Sequence, residues 1–256
     1  MAMQQRGYDR AELDPSKLIK QTRQYGKSSD PYTPMILASW NSASEVVAQS
    51  LNTGTDQLIM WPFSIEQLGA RVSALVNARK PFIETESYLG PDRRGAKGRA
   101  IGTDSVEVPN ALRARVLNRP DLAASPDSIE VARISLERIK INNIAQRISV
   151  IAKVLKKHQG DSGYMGARAA PELAAIDKSL GVIRRALVLT EMEYLQSFCN
   201  SVEQVTAQLS HAAPDLDSRG VALLEQTALA LRVAMDLDEE TANAAFRLSD
   251  EVAKAI

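Results

Sequence analysis

Residues Gln57–Ser64 read QLIMWPFS, and the fold turns on how that stretch is read. QLIM is apolar, too short for a helix, and preceded by the turn residues Asn52-Thr53-Gly54, so it is expected to be a strand. Trp61-Pro62-Phe63 ends it. Ser64 then opens SIEQLGARVSALVNA, where Ile65, Leu68, Val72 and Leu75 or Val76 share one helical face under a serine cap. Upstream, PMILAS (Pro34–Ser39) is a second short, continuous apolar run, as a strand buried on both faces would be. Between the two lies SASEVVAQSLNTG, a helix capped by Ser42 or Ser44, with Glu45 in its first turn and Gly54 as its stop. Before them, SKLIKQTRQYG carries apolar residues at helical spacing and stops at Gly26. The order α-β-α-β-α predicts parallel strands joined by a right-handed crossover. Two strands are too few for a stable open sheet with helices on both faces. Another part of the chain or a partner must complete it, because a bare strand edge invites aggregation.

Downstream, residues 84–125 are rich in Gly, Pro, Ser and charge and read as a linker. Everything after them reads as helix. Residues 127–158 form a long helix with Ile134, Ile141, Ile144, Ile148, Ile151 and Leu155 on a coiled-coil-like stripe. At about 1.5 Å per residue it spans nearly 50 Å. HQGDSGYMGARAAP reads as a turn. A second long helix is expected from about 171 to 211, with Leu173, Ile176, Leu180, Ile183, Leu187, Tyr194, Phe198, Val202, Val205 and Leu209 on its stripe. Two shorter helices follow, at about 216–236 and 239–255, the last capped by Asp238. The expected architecture is therefore a partial α/β unit at 1–83, a linker at 84–125, and a helical hairpin, bundle or coiled coil at 126–256.

The totals narrow the function classes. Lys+Arg and Asp+Glu both number 31, so the net charge is zero and the overall field argues for neither nucleic acid nor an anionic membrane. Cys199 is the only cysteine, which excludes an internal disulfide and a Cys-rich metal site. It sits among Phe198, Asn200 and Val202 and reads as an inert thiol. The polar start MAMQQRGYDRAEL lacks the apolar core of a signal peptide, and no run approaches the roughly 20 apolar residues of a membrane helix, so a cytoplasmic location is expected. His158 and His211 fall at helix ends, where a cationic side chain is favoured. The linker arginines 93, 94, 99, 113, 115 and 119 are locally basic, but no reading helix accompanies them.

The ordered set PMILAS, then GTDQLIMWPFS, then ARKPFIETESYLGPDRR resembles the second half of a response-regulator receiver, the CheY-like, flavodoxin-like domain of two-component signalling, over residues 16–119. In that family the fourth strand reads Pro, apolar run, Thr or Ser; the fifth follows a Gly-Ala-Asp-Asp-like turn and ends in Lys-Pro-Phe. The resemblance implies a Mg²⁺ site of acidic residues after the first strand, a phospho-accepting Asp after the third, a hydroxyl after the fourth, and a Lys that pairs with the phosphoryl group. Here Ser39 stands at the hydroxyl position, while Trp61 stands in place of the Lys, followed by Pro62 and Phe63. Indole has one donor and no charge, so it does not neutralise a phosphoryl dianion. The first strands and their acidic pair have no counterpart in the 15 residues ahead of the first helix. Asp9 and Asp14 are the candidates there for a phospho-acceptor, although neither follows a strand.

The resemblance with these departures implies a non-catalytic signalling or interaction protein: a truncated pseudo-receiver joined to a helical dimerisation or partner-binding region, with no cofactor, and Mg²⁺ only if an acidic pocket survives. Trp40, Trp61 and Phe63 are the expected docking surface, for a histidine kinase, another signalling protein or a second copy of the chain. The alternative is a phospho-accepting regulator whose catalytic half lies outside this sequence.

Overall fold

The computed structural model describes residues 14–94 and 105–255, and Asp9 lies outside them. The chain forms two compact units that divide between Leu136 and Glu137. A mixed α/β unit comes first and a helical one second.

In the first unit, α1 (Pro15–Arg23) starts at Asp14, whose carboxylate accepts from the Ser16 amide at 2.9 Å, with Pro15 in the first turn. The helix ends earlier than its sequence pattern suggests. Gln24 is its C-cap, and Gly26 serves the following turn with φ at +79°. β1 (Ile36–Ser39) and β2 (Gln57–Met60) pair in parallel, Ile36 opposite Gln57 and Ser39 opposite Met60, across α2 (Ser44–Leu51). No serine side chain caps α2: Ala43 is the N-cap, and the Asn41 side chain instead accepts the Ala43 amide at 2.9 Å. α3 (Ile65–Asn77) begins with a full capping box, in which Ser64 Oγ accepts from the Gln67 amide and Gln67 Oε1 from the Ser64 amide.

β1 and β2 form a two-stranded sheet, and no β1 residue is fully buried. The expectation of a strand covered on both faces is corrected here: without further strands beside it, a two-stranded ribbon cannot shield both faces. Only Ile59 of β2 falls in the core, and the first two turns of α3 stand in solvent, with Ile65 86% exposed.

The stretch read as a linker carries structure of its own. β3 (Phe82–Glu84) pairs antiparallel with β4 (Leu89–Pro91), and Phe82 exchanges backbone bonds with Val106 at 2.7 and 2.9 Å. α4 (Ala111–Val116) follows, capped by Asn110, and then a 3-10 turn at Pro120–Leu122. Gly90 of this stretch makes a close backbone contact with Gly54. Gly54, with φ at +93°, would place a Cβ 2.4 Å from the Leu89 carbonyl oxygen, and a Cβ on Gly90 would meet the Gly54 Cα at 2.8 Å. Two backbones touch there, which only glycine permits. The first core gathers around Tyr32 and Phe82, whose rings meet edge to face at 5.8 Å, with Ala132 and Leu136 from the start of α5 (Pro126–Lys157).

The second unit holds the rest of α5 with α6 (Ser162–Thr190), α7 (Gln196–Ala212), α8 (Ser218–Ala234) and α9 (Glu239–Ala255). Ile141, Ile144, Ile148 and Leu155 of the α5 stripe are buried with Leu173, Ile176, Leu180, Ile183, Leu187, Phe198, Val202, Val205 and Leu209 in one core formed within a single chain. The expected helix from 171 to 211 is two helices. α6 starts nine residues earlier, because Asp161 caps it by accepting from the Tyr164 amide at 2.9 Å, and Pro171 is accommodated inside it. It stops at Thr190, where Glu191 takes the left-handed conformation (φ +56°) and the Met192 amide reaches back to the Leu187 carbonyl at 3.0 Å. Arg138 donates to the Thr190 carbonyl from Nε and Nη2, at 3.2 and 2.7 Å. No glycine or proline marks this break, so nothing in the sequence pattern announced it.

Candidate functional site

Parallel strands bring their C-terminal ends to one side, and here those ends carry Ser39-Trp40 and Trp61-Pro62-Phe63. The Trp61 amide donates to the Ser39 carbonyl at 2.8 Å, which extends the β1–β2 ladder by one bond and fixes both tryptophans beside each other. The Trp40 and Trp61 rings lie 6.3 Å apart at a tilt of 54°, and Trp61 meets Phe63 edge-on at 4.9 Å. These separations suit favourable aromatic pairing. Pro62, joined to Trp61 by a cis bond, turns the chain toward the Ser64 cap of α3. Trp40 is 78% and Trp61 50% exposed, so two large indole surfaces face water at the same point, with Ile65 close by in sequence at the start of α3.

Ser39 does not present a free hydroxyl. Its Oγ lies 3.2 Å from both the carbonyl and the amide of Asn41, donating to the first and accepting from the second. That local turn shapes the Trp40–Ala43 loop. Asp14 is engaged as the α1 cap. Of the residues singled out in the sequence, Ser39, Trp40, Trp61, Pro62 and Phe63 are thus brought together, and Asp14 serves a helix end. Among the described residues no group of three or more His, Cys, Asp or Glu side chains is placed to hold a metal ion.

At the opposite, N-terminal end of β2 lies an arrangement that the sequence did not disclose. Asp56 is 5% exposed, and its carboxylate accepts three bonds: Oδ2 from Arg23 Nη2 and from the Met35 amide, both at 2.8 Å, and Oδ1 from Arg79 Nε at 2.7 Å. The two guanidinium groups also stack on Phe82, at 5.0 and 4.8 Å from its ring centre. Their remaining donors go to backbone carbonyls. Arg23 bonds Gly54, Pro31 and Thr33 (2.9, 2.6 and 2.9 Å), and Arg79 bonds Pro109 (3.0 Å) and Tyr32. Burial pulls the Arg23 guanidinium below its ordinary value, against the opposing pull of Asp56. Arg23 and Arg79 lie 33 and 23 positions from Asp56 in the chain, so no local motif marked them.

Beside this hub, the Tyr25 hydroxyl donates to Glu84 at 3.0 Å and lies 3.2 Å from the Tyr32 hydroxyl, while Arg133 covers the Tyr25 ring at 4.9 Å. Burial, reinforced by Glu84, pushes the Tyr25 phenol far up, and burial pushes Tyr32 up to about 12. The Gly90-Pro91-Asp92-Arg93-Arg94 run folds against the same end of β2. Arg93 Nη2 donates to the Thr55 and Asp56 carbonyls, the Asp92 amide donates to the Pro81 carbonyl at 2.7 Å, and Arg94 clasps the Asp92 carboxylate through Nε and Nη2, each at 2.9 Å.

In the helical unit His158 stacks on Tyr164 at 4.3 Å, and Cys199 is buried, its thiol pushed up to about 11 by burial. That cysteine is not a nucleophile near neutral pH. Among the described residues no helix is long and apolar enough to cross a membrane. Compared with known proteins, the chain matches no family model, no curated protein and no solved structure.

Proposed function

We propose that this chain is a non-catalytic docking protein, a pseudo-receiver that presents Trp40, Trp61 and Phe63 to a protein partner and carries a helical region for dimerisation or a second partner. One observation carries the reading. Two tryptophans stand exposed and in contact at the strand ends where a receiver would hold its phosphoryl group, while the nearby Ser39 hydroxyl is tied into a local turn. Exposed, rigidly placed indoles are the side chains that most often anchor protein interfaces. The placement of Trp61 where the resemblance puts a Lys supports docking over phosphoryl chemistry.

Two measurements test this. Titration with Mg²⁺ and beryllofluoride, followed by tryptophan emission, is expected to give no saturable change. A saturable, Mg²⁺-dependent change would instead favour a phospho-accepting regulator. A photo-crosslinker placed at Trp40 is expected to capture one protein in cells, and Trp61→Ala is expected to remove that product. Diffuse labelling unaffected by Trp61→Ala would refute docking at this surface, and capture of the chain itself would identify the partner as a second copy.

A further inference from the structure

The turn between β3 and β4 forms one wall of a cleft of about 570 Å³ within the first unit, lined among others by Asn52, Thr85, Ser87, Tyr88, Arg93 and Arg94. Its chemistry is one-sided. Among the described residues the lining holds two guanidinium groups, three hydroxyls and a carboxamide, and no carboxylate. Glu84 and Glu86 line a neighbouring cleft, which shares Asn52, Thr85, Ser87 and Tyr88 with this one. The Arg94 charge is matched by Asp92, whose side chain is 1% exposed. The Arg93 guanidinium is met by the carbonyl oxygens of Thr55 and Asp56 and by the Tyr88 phenol, none of which carries a charge near neutral pH, and among the described residues its buried Nε has no hydrogen-bond partner. The nearest acid in the hub, Asp56, is already saturated by Arg23, Arg79 and the Met35 amide. Asn52 and Ser87 are exposed, and among the described residues their side chains have no hydrogen-bond partner. Thr85 Oγ1 accepts from the Ser87 and Tyr88 amides, at 3.4 and 3.1 Å, which leaves its own proton to donate.

We infer that this cleft binds a phosphate group. A tetrahedral oxyanion has several acceptor oxygens, which match an unneutralised guanidinium together with the unspent donors of Asn52, Thr85 and Ser87. A carboxylate has two oxygens in one plane and uses fewer of them. The cleft sits at the N-terminal end of β2, away from the indoles at its C-terminal end, so it is independent of the docking surface.

The test is an amide-resolved NMR titration of the full ¹⁵N-labelled chain with inorganic phosphate at constant ionic strength, with acetate as the carboxylate arm. Saturable shifts confined to Asn52 and the Thr85–Arg94 segment are expected, with a Kd on the order of 1 mM or tighter. Ser87→Asp is the discriminating variant, because Ser87 is exposed in a turn that tolerates Asp and the new carboxylate would occupy the cation. It is expected to raise the phosphate Kd at least about tenfold. The spectrum of unliganded Ser87→Asp also checks that the fold is intact, which Arg93→Ala would not, since Arg93 clasps the β2 entrance. The inference is overturned by the absence of saturable shifts, by equal affinity in Ser87→Asp, or by acetate binding as tightly as phosphate.

Discussion

Replacing Asp56 by Asn keeps the shape of the side chain and removes the carboxylate that bonds both Arg23 and Arg79. Both arginine side chains are almost wholly buried, 3% and 6% exposed, so water cannot take over from the lost carboxylate. Removing one member of a buried ion pair costs about 3–5 kcal/mol, because the remaining charge is left unpaired. That is a large part of a typical domain's stability of roughly 5–15 kcal/mol. Both tryptophans lie in the first unit, so indole emission during urea unfolding follows that unit, while far-ultraviolet circular dichroism is weighted toward the long helices of the second. With a urea m-value of about 1–3 kcal/mol/M, the emission midpoint is expected to fall by about 1–5 M in Asp56→Asn. The helical transition should stay in place. A midpoint within about 0.3 M of the parent would refute the view that this hub holds the unit together. Exchanging all three charged residues for apolar ones is not expected to rescue stability. The arginines also satisfy the carbonyls of Gly54, Pro31, Thr33, Tyr32 and Pro109, and each buried acceptor left bare costs about 1–3 kcal/mol.

Gly54→Ala should destabilise the first unit by at least about 1–3 kcal/mol in the same emission assay, since it combines a positive φ with a Cβ driven into the Leu89 carbonyl. Glu191→Gly should raise the circular-dichroism midpoint by about 0.5–1 kcal/mol, because glycine takes the left-handed position after α6 without a Cβ penalty. Tyr25 and Tyr32 both have raised values in the folded state, so the unfolded chain loses their protons first. Their contribution is complete below about pH 10 and is lost as the pH climbs toward 12 and beyond; a urea series across that range, with Tyr25→Phe as control, reads it. Cys199 should resist a thiol reagent at pH 8 in the native chain and react once the helical unit is unfolded.

Several elements were legible because their signals are local. QLIM lies between turn residues and a capping serine, and it became β2 with the same four residues. The Ser64 cap and the Asp238 cap stand next to the turns that they close. Most of the isoleucine and leucine stripes of α5, α6 and α7 lie in the helical core, since burial of a helix face imposes the period of the helix, whereas Val221, Leu224 and Leu231 of α8 lie there without having been singled out. What escaped depends on pairing across distance. β3 and β4 are three residues each, too short for alternation to show, and they exist because Phe82 is held by Pro91, Val106 and two arginines. The break at Glu191 uses a non-glycine residue in a left-handed turn, stabilised by Arg138 from another helix. The aromatic cluster was expected from the receiver resemblance, which sets Trp40 and Trp61 at the ends of neighbouring strands. The cleft at the other end of β2 was not, because Asn52 and Arg93 meet only after the glycine contact of residues 54 and 90 has formed.

Helix α5 supplies Ala132 and Leu136 to the core around Tyr32 and Phe82, and this sets a timetable for the chain as it is made. Eighty positions separate Asp56 from Leu136, and at roughly 5–20 residues per second their synthesis takes about 4–16 s. Throughout that interval Asp56 and Phe82 emerge before their last neighbours exist, so the nascent first unit waits with an unfinished core and an open strand edge. Termination just before Pro126, where composition suggests a boundary, would make that waiting state permanent. A release point after Leu136 gives the first unit every residue of its own core.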